Sequence, residues 1–211
     1  MARYVATIPE RKAISGIILA AGQSKRLGHP KQLLDICGQS VIRRVTQTAA
    51  QSQLTSVLVV LGHAFTEIER ELEGLDVRIV HNPDFATGQA SSLREGLNAL
   101  STESDAALFL LGDQPTLASS AIDALIEAYE MAESAIVQAR YRDQPGHPVL
   151  FARPLFAELT AVAGDQGARD VIRRHAAEVQ YVEIAGDAPT DIDTEADYQL
   201  VLRQFQENQA K

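Results

Sequence analysis

Short runs that are apolar on consecutive positions, not alternating ones, set the pattern of this chain. Residues 57–61 and 106–111 are such runs, and 14–20 and 135–139 are nearly so, broken by Ser15 and by Gln138, as expected for strands covered on both faces of a parallel sheet. Between them apolar residues recur at helical spacing: Val41, Ile42, Val45 and Ala49 within 38–51, then 64–72, 91–100 and a segment opened by Ser119 or Ser120 and running to about 133. A short strand at 77–80 is stopped by Asn82-Pro83. This alternation predicts an α/β fold: a single-domain, mostly parallel, doubly wound Rossmann-like sheet with helices on both faces. Beyond Arg140 the pattern loosens. A loop is expected at Pro145-Gly146-His147-Pro148, a strand at 149–151, short helices near 154–162 and 168–175, a strand at 179–184 and a last helix over 194–206. Residues 1–13 read as an arm and 14–211 as one domain, with about 140–190 walling one side of its site.

Composition narrows the class without naming a chemistry. The chain has 211 residues, 45% hydrophobic and 22% charged, enough to bury a core without staples. One cysteine, Cys37, excludes an internal disulfide and a cysteine-rich metal site. No apolar run has signal-peptide or membrane-span length, so a cytoplasmic protein without membrane contact is expected. A formal net charge of −9 argues against nucleic acid as a partner. Against that background Arg11, Lys12, Lys25, Arg26 and Lys31 form a basic segment with no acid before Asp35, which suits a small anion.

The basic segment sits where phosphate chemistry is done. The first strand breaks at Gly22 into a cationic loop, and the small residues Ala20, Ala21 and Gly22 allow a ligand close to the backbone. The loop matches neither G-x-G-x-x-G nor the P-loop. Arg26 can fork onto phosphate oxygens and Lys31 can supply a point charge. Asp113, in Gly112-Asp113-Gln114-Pro115, follows a buried strand at the carboxyl edge where open α/β sheets bind ligands. A lone carboxylate there suits Mg²⁺, and a turn or cap suits it equally. In Asp191-Ile192-Asp193-Thr194 either aspartate is a candidate second ligand, while Asp193 or Thr194 is equally a helix cap. Gly88-Gln89-Ala90-Ser91-Ser92 opens a helix with hydroxyls and N–H groups available to a base or ribose. His147, and the stretch Gly164-Asp165-Gln166-Gly167-Ala168-Arg169, are weaker candidates for ligand contact.

Taken in order, Leu19-Ala20-Ala21-Gly22-x-Ser24-x-Arg26-x-Gly28-x-Pro30-Lys31, Asn82-Pro83 with Gly88 and Ser92-Leu93, Gly112-Asp113-Gln114-Pro115, Gly146-His147-Pro148, Gly164-Asp165-x-Gly167-Ala168-Arg169 and Asp191-Ile192-Asp193-Thr194 closely resemble the molybdenum cofactor cytidylyltransferase family, within the MobA-like nucleotidyltransferases. The resemblance runs from Ile14 to about Tyr198. The opening motif is shared across sugar-phosphate and isoprenoid-precursor nucleotidyltransferases. Ala21, where the guanylyltransferase branch has a glycine, leans to the cytidylyl branch, and Leu27 stands where methionine is common. The resemblance implies a nucleotidyltransferase fold and transfer of CMP from CTP to the terminal phosphate of the molybdenum cofactor, with Mg²⁺. It implies that Arg26, Lys31 and Asp113 are catalytic and that Leu19, Ala20–Gly22, Gly88, Ser91 and Ser92 receive the nucleotide. Asp113 and Asp193 would hold metal, and His147, Asp165 and Arg169 would face the acceptor. A transient contact with a molybdenum hydroxylase or its maturation factor is a further implication. Rival readings are a sister transferase using GTP, ATP or another phosphorylated acceptor, a nicotinamide oxidoreductase, which the missing glycine fingerprint disfavours, and a non-catalytic cofactor-delivery protein. If Arg26 and Lys31 are solvated loop charges, their replacement by alanine should spare stability.

Overall fold

The computed structural model describes residues 11–132, 134–164 and 167–209; most of the expected N-terminal arm lies outside them. The chain begins with β1 (Ile14–Leu19). A small hairpin of β2 (Asp35–Ile36) and β3 (Gln39–Ser40) follows, then α1 (Val41–Ala50), β4 (Ser56–Leu61), α2 (Phe65–Glu71), β5 (Arg78–His81) and α3 (Gln89–Asn98). The second half runs β6 (Ala106–Leu111), α4 (Ser119–Ala132), β7 (Ile136–Tyr141), β8 (Gln144–Ala152), α5 (Phe156–Thr160), α6 (Arg169–Arg174), β9 (Val179–Glu183) and α7 (Glu195–Gln209). Seven strands form one sheet in the order β5-β4-β1-β6-β8-β7-β9, with β8 running against the other six. The mostly parallel, doubly wound sheet is thus the one the apolar runs predict.

The sheet divides its side chains between two faces. Ile14 and Ile18 of β1, Leu108 and Leu110 of β6, and Val57 and Val59 of β4 pack with Ile42 of α1, Ile68 of α2 and Ile122 of α4. Ile17, Phe109 and Val60 point the other way, onto Leu93 of α3, Leu159 of α5 and Val171 of α6. Period-2 alternation inside largely apolar strands feeds both layers. A third cluster joins Ile36, Val41, Ile192 and Val201, so α7 packs beside the β2–β3 hairpin and not on the sheet.

Two features depart from the sequence reading. Pro145-Gly146-His147-Pro148 is not a loop: it lies in β8, where Tyr141 pairs with Gln144 and Arg140 with Pro145. A proline lacks a donor and is tolerated where one side of a strand is unpaired. β6 pairs only with residues 149–152, so the proline-bearing half of β8 projects past it. The turn is made instead by Arg142 and Asp143, both left-handed (φ 46° and 66°). The β2–β3 hairpin turns likewise through Cys37 and Gly38 (φ 50° and 83°). Its two-residue strands are too short to show a period.

The registers place the site. Leu19 of β1 stands beside Val60 of β4 and Leu111 of β6, so Ala20–Gly22, Gly62 and Gly112-Asp113 emerge together at one sheet edge. Among the described residues no helix is long and apolar enough to cross a membrane. Leu108 is fully buried mid-sheet, and Met131 is 87% exposed. Leu108→Ala is expected to cost about 3 kcal/mol and Met131→Ala less than about 0.5 kcal/mol. Urea unfolding of the two variants checks the assignment of the core.

Candidate active site

The loop after β1 is tied down before any ligand arrives. Ala20 N–H donates to Val60 O at 2.9 Å and Ala21 O accepts from His63 N–H at 3.3 Å, and the chain then leaves the edge. Ser24, left-handed at φ 51°, accepts the Lys31 N–H on its hydroxyl at 3.0 Å. Gln32 is 2% exposed and donates its side-chain amide to Ala20 O at 3.0 Å. Leu27 packs on the cluster under α7. These bonds fold the loop back so that its cations separate: Lys25 and Arg26 stay exposed, while Lys31 turns inward.

Lys31 Nζ sits between two carboxylates, paired with Asp113 Oδ2 and with Asp193 Oδ1 at 2.8 Å. Arg26 reaches the other oxygen of Asp193 at 2.8 Å. Asp113 is carried by the end of β6, with Gly112 N–H donating to Leu19 O at 3.0 Å. Asp193 is brought in because Ile192 N–H donates to Asp113 O at 3.1 Å. The cap of α7 is Thr194, which exchanges bonds with Asp197 in the manner of a capping box. Asp193 is thereby left to face Lys31, and Asp191 turns instead to accept from Gln114 Nε2 at 2.7 Å.

Burial works against charge on Lys31, but Asp113 and then Asp193 outweigh it and hold the ammonium above the usual lysine range. For Asp113 burial wins: desolvation pushes its carboxyl above the usual range against the pull of Lys31. The hydrogen bond from Lys31 holds the more exposed Asp193 below that range. Asp113 Oδ1 is buried and has no hydrogen-bond partner among the described residues.

These groups border a cleft of about 460 Å³, within the range of small-molecule sites. Of the residues expected to receive nucleotide or metal, Leu19, Ala21, Gly22, Arg26, Lys31, Gly88, Ser92, Asp113 and Asp193 line it together. Ala20 and Ser91 do not. Ala20 lies beneath Gly112, where an added Cβ would come within 2.7 Å of Ala20 Cβ. Ser91 is turned inward, its hydroxyl bonded to Gly88 O at 2.8 Å. His147 and Arg169 also stand off the lining. Desolvation holds the His147 imidazole below the usual range, against the pull of Asp191 and with the push of Arg169. Asp165 lies outside the described residues.

The sequence reading missed Phe85 and Gln89, which line the cleft, and Ser24 and Gln32 as the residues that shape the loop. An added Cβ on Gly62 would meet Phe85 Cβ at 2.5 Å, so the glycine ending β4 is what admits Phe85. The only sequence signal for Phe85 is an aromatic in an otherwise polar turn. A buried glutamine beside two leucines carries no signal of its own.

The model of the MobA-like NTP transferase domain matches residues 16–179, most of the chain, including the loop after β1, Asp113, His147 and Arg169. The chain belongs to the MobA-like NTP transferase family. It is a nucleotidyltransferase of that family. It is 28% identical over 200 residues to the molybdenum cofactor cytidylyltransferase of Escherichia coli (strain K12), covering 92% of this chain and 98% of that one. It is 29% identical over 191 residues to the nicotine blue oxidoreductase of Paenarthrobacter nicotinovorans, covering 86% and 92%. Rv0371c of Mycobacterium tuberculosis H37Rv, solved in complex with manganese, superposes with a TM-score of 0.80 at 29% identity, covering 91% and 99%.

In this MobA-like chain the donor set fits a divalent cation. Two carboxylates face one ammonium, and the buried Asp113 Oδ1 lacks a partner among the described residues. Among the described residues no three His, Cys, Asp or Glu side chains gather into a metal site. Two protein oxygens completed by phosphate and water is the habit of Mg²⁺.

Lys31 is therefore a buried counter-charge and not a solvated loop cation, the condition on which its replacement was expected to spare stability. Lys31→Ala leaves Asp113 unpaired and is expected to cost about 3 kcal/mol of stability at neutral pH. Arg26→Ala, removing a side chain that is 68% exposed, should stay within about 0.5 kcal/mol of wild type. Urea midpoints measure both. Equally small losses would return Lys31 to the solvated class.

Proposed function

We propose that the protein transfers CMP from CTP to the terminal phosphate of the molybdenum cofactor, releasing pyrophosphate. The observation that carries the reading is the Lys31–Asp113–Asp193 array at the carboxyl edge of the sheet, with Arg26 latched to its outer end. The cytidylyltransferase name of the Escherichia coli relative supports the choice of nucleotide and acceptor.

An acceptor phosphate oxygen bonds to the α-phosphorus of CTP as the α–β bridging bond breaks and the electron pair leaves with pyrophosphate. The acceptor is already anionic near neutral pH, so no strong base is required of the protein. Catalysis is then positioning and charge stabilisation. Arg26 and Lys31 release Asp193 and hold the triphosphate, Arg26 as a fork and Lys31 as a point charge. Asp113 and Asp193 would hold Mg²⁺, which when bound offsets phosphate charge. Leu19, Ala21, Gly22, Gly88 and Ser92 shape the nucleoside end. His147 and Arg169, with Asp165, face the acceptor; the neutral imidazole beside a guanidinium suits an anionic, hydrogen-bonding ligand.

Pyrophosphate release with Mg²⁺ and molybdenum cofactor, compared across CTP, GTP, ATP and UTP, tests the proposal. Release is expected with CTP and only in the presence of the cofactor. Arg26→Ala should lower kcat by about 100-fold, and Asp113→Asn should lose the Mg²⁺-dependent activity. Release with GTP or ATP would reassign the base. The oxidoreductase relative makes a parallel NAD(P)H oxidation assay informative: turnover there, with no pyrophosphate, would sink the transferase reading.

A further inference from the structure

Asn82 follows β5 directly, is fully buried, and has every polar atom of its side chain committed. The Asp84 N–H donates to its Oδ1 at 2.9 Å. A backbone amide can only donate, so the atom facing it is the oxygen and the other is the NH₂ group. That group spends one hydrogen on Ser91 Oγ and one on Ser92 Oγ, each at 2.9 Å. Both hydroxyls are thus acceptors toward Asn82, and each keeps one hydrogen to place. Ser91 places its own on Gly88 O at 2.8 Å, with Asp84 O at 3.1 Å. Ser92, 5% exposed and on the wall of the cleft, has no acceptor for its hydrogen among the described residues.

We infer that Asn82 is a positioning residue that fixes the Ser92 hydroxyl as a hydrogen-bond donor into the cleft, aimed at an acceptor oxygen of the nucleoside. The inference rests on the nucleotide reading above and deepens it. Asn82 takes one lone pair of the Ser92 hydroxyl and sets its orientation, and the hydroxyl hydrogen is left to find its acceptor in the cleft. A ligand presenting a carbonyl or ribose oxygen there satisfies that hydrogen, whereas one presenting an N–H leaves it unpaired.

The test is equilibrium binding of CTP with Mg²⁺ and without acceptor. Ser92→Ala is expected to weaken CTP about 10-fold. Asn82→Asp keeps the shape and still accepts from Asp84 N–H, but its ionised carboxylate accepts from both serines and draws the Ser92 hydrogen away from the ligand. Affinity in that variant should fall by a similar factor as pH rises through ionisation of the new carboxyl, and the fall should vanish in a Ser92→Ala background. His63, His81 and Asp84, the ionisable groups nearby, are the same in both backgrounds, so their contribution cancels. A purely structural asparagine would give a loss that persists without the Ser92 hydroxyl, and that result overturns the inference. So does a folded Ser92→Ala variant that binds CTP like wild type, an arm that stands even if Asn82→Asp does not fold. The 2′-deoxy, 3′-deoxy and 2-thio analogues of CTP separate ribose from base: the analogue insensitive to Ser92→Ala marks the acceptor, and sensitivity of all three refutes a nucleoside oxygen. Failure of the wild type to bind any nucleoside triphosphate overturns the proposed function, and this inference with it. Normal binding unaffected by Ser92→Ala overturns the inference alone.

Discussion

The ammonium of Lys31, held between Asp113 and Asp193, is the interaction on which the rest of the site depends. It sews together three segments that are distant in sequence: the loop after β1, the end of β6 and the approach to α7. Burying a carboxylate as Asp113 is buried costs several kcal/mol unless a counter-charge is close, and Lys31 is that charge. Partial exposure of Asp193 lets one end of the array remain exchangeable. The outcome is a site whose parts are in place without ligand, yet whose charges are satisfied by one another through contacts that a phosphate and a metal can replace.

Each member of the array is delivered by ordinary sheet and helix rules. Parallel pairing in register brings the carboxyl ends of β1 and β6 level, so a loop from one and an aspartate from the other meet without a long excursion. Thr194 caps α7 and takes the reciprocal bond with Asp197, which spares Asp193 from capping duty. Ser24 and Gln32 spend their polar atoms on the loop backbone, and Leu27 spends its side chain on the cluster beneath α7. The cationic loop is consequently a folded element rather than a flexible tether, which is the condition for positioning to count in catalysis.

The central sheet was legible because its strands are buried on both faces and so carry nearly unbroken apolar runs. The same criterion fails at β8, where Pro145 and Pro148 read as loop: the rule against proline in strands assumes both edges are paired, and this half of β8 has one free. Arg26, Lys31, Asp113 and Asp193 could be picked out because charges at the ends of apolar strands have few structural uses. Ser91 and Ser92 could not be told apart. They are adjacent and chemically identical, and only the turn of α3 sends one inward and the other to the cleft. The inward role of Lys31 was equally hidden, since a lysine in a polar loop has the same local pattern whether it meets water or a carboxylate.

The balance of charge explains why such a site needs both of its proposed partners. A divalent cation entering alone meets two carboxylates but also the ammonium and guanidinium already paired with them. A triphosphate entering alone meets those cations but also the carboxylates. Either one must break ion pairs and leave a like charge close by, at a low-dielectric site where such repulsion is strong. On the proposed function, joint entry would let the protein's cations turn to phosphate while its carboxylates held the metal, so that neither sign of charge would be left without a partner. Burial holds the Asp113 carboxyl above the usual range against the pull of Lys31, so a cation beside it is what favours its charged form. On the proposed function the ion pairs of the array would be exchanged for contacts to phosphate and metal, so the charges they satisfy would stay satisfied.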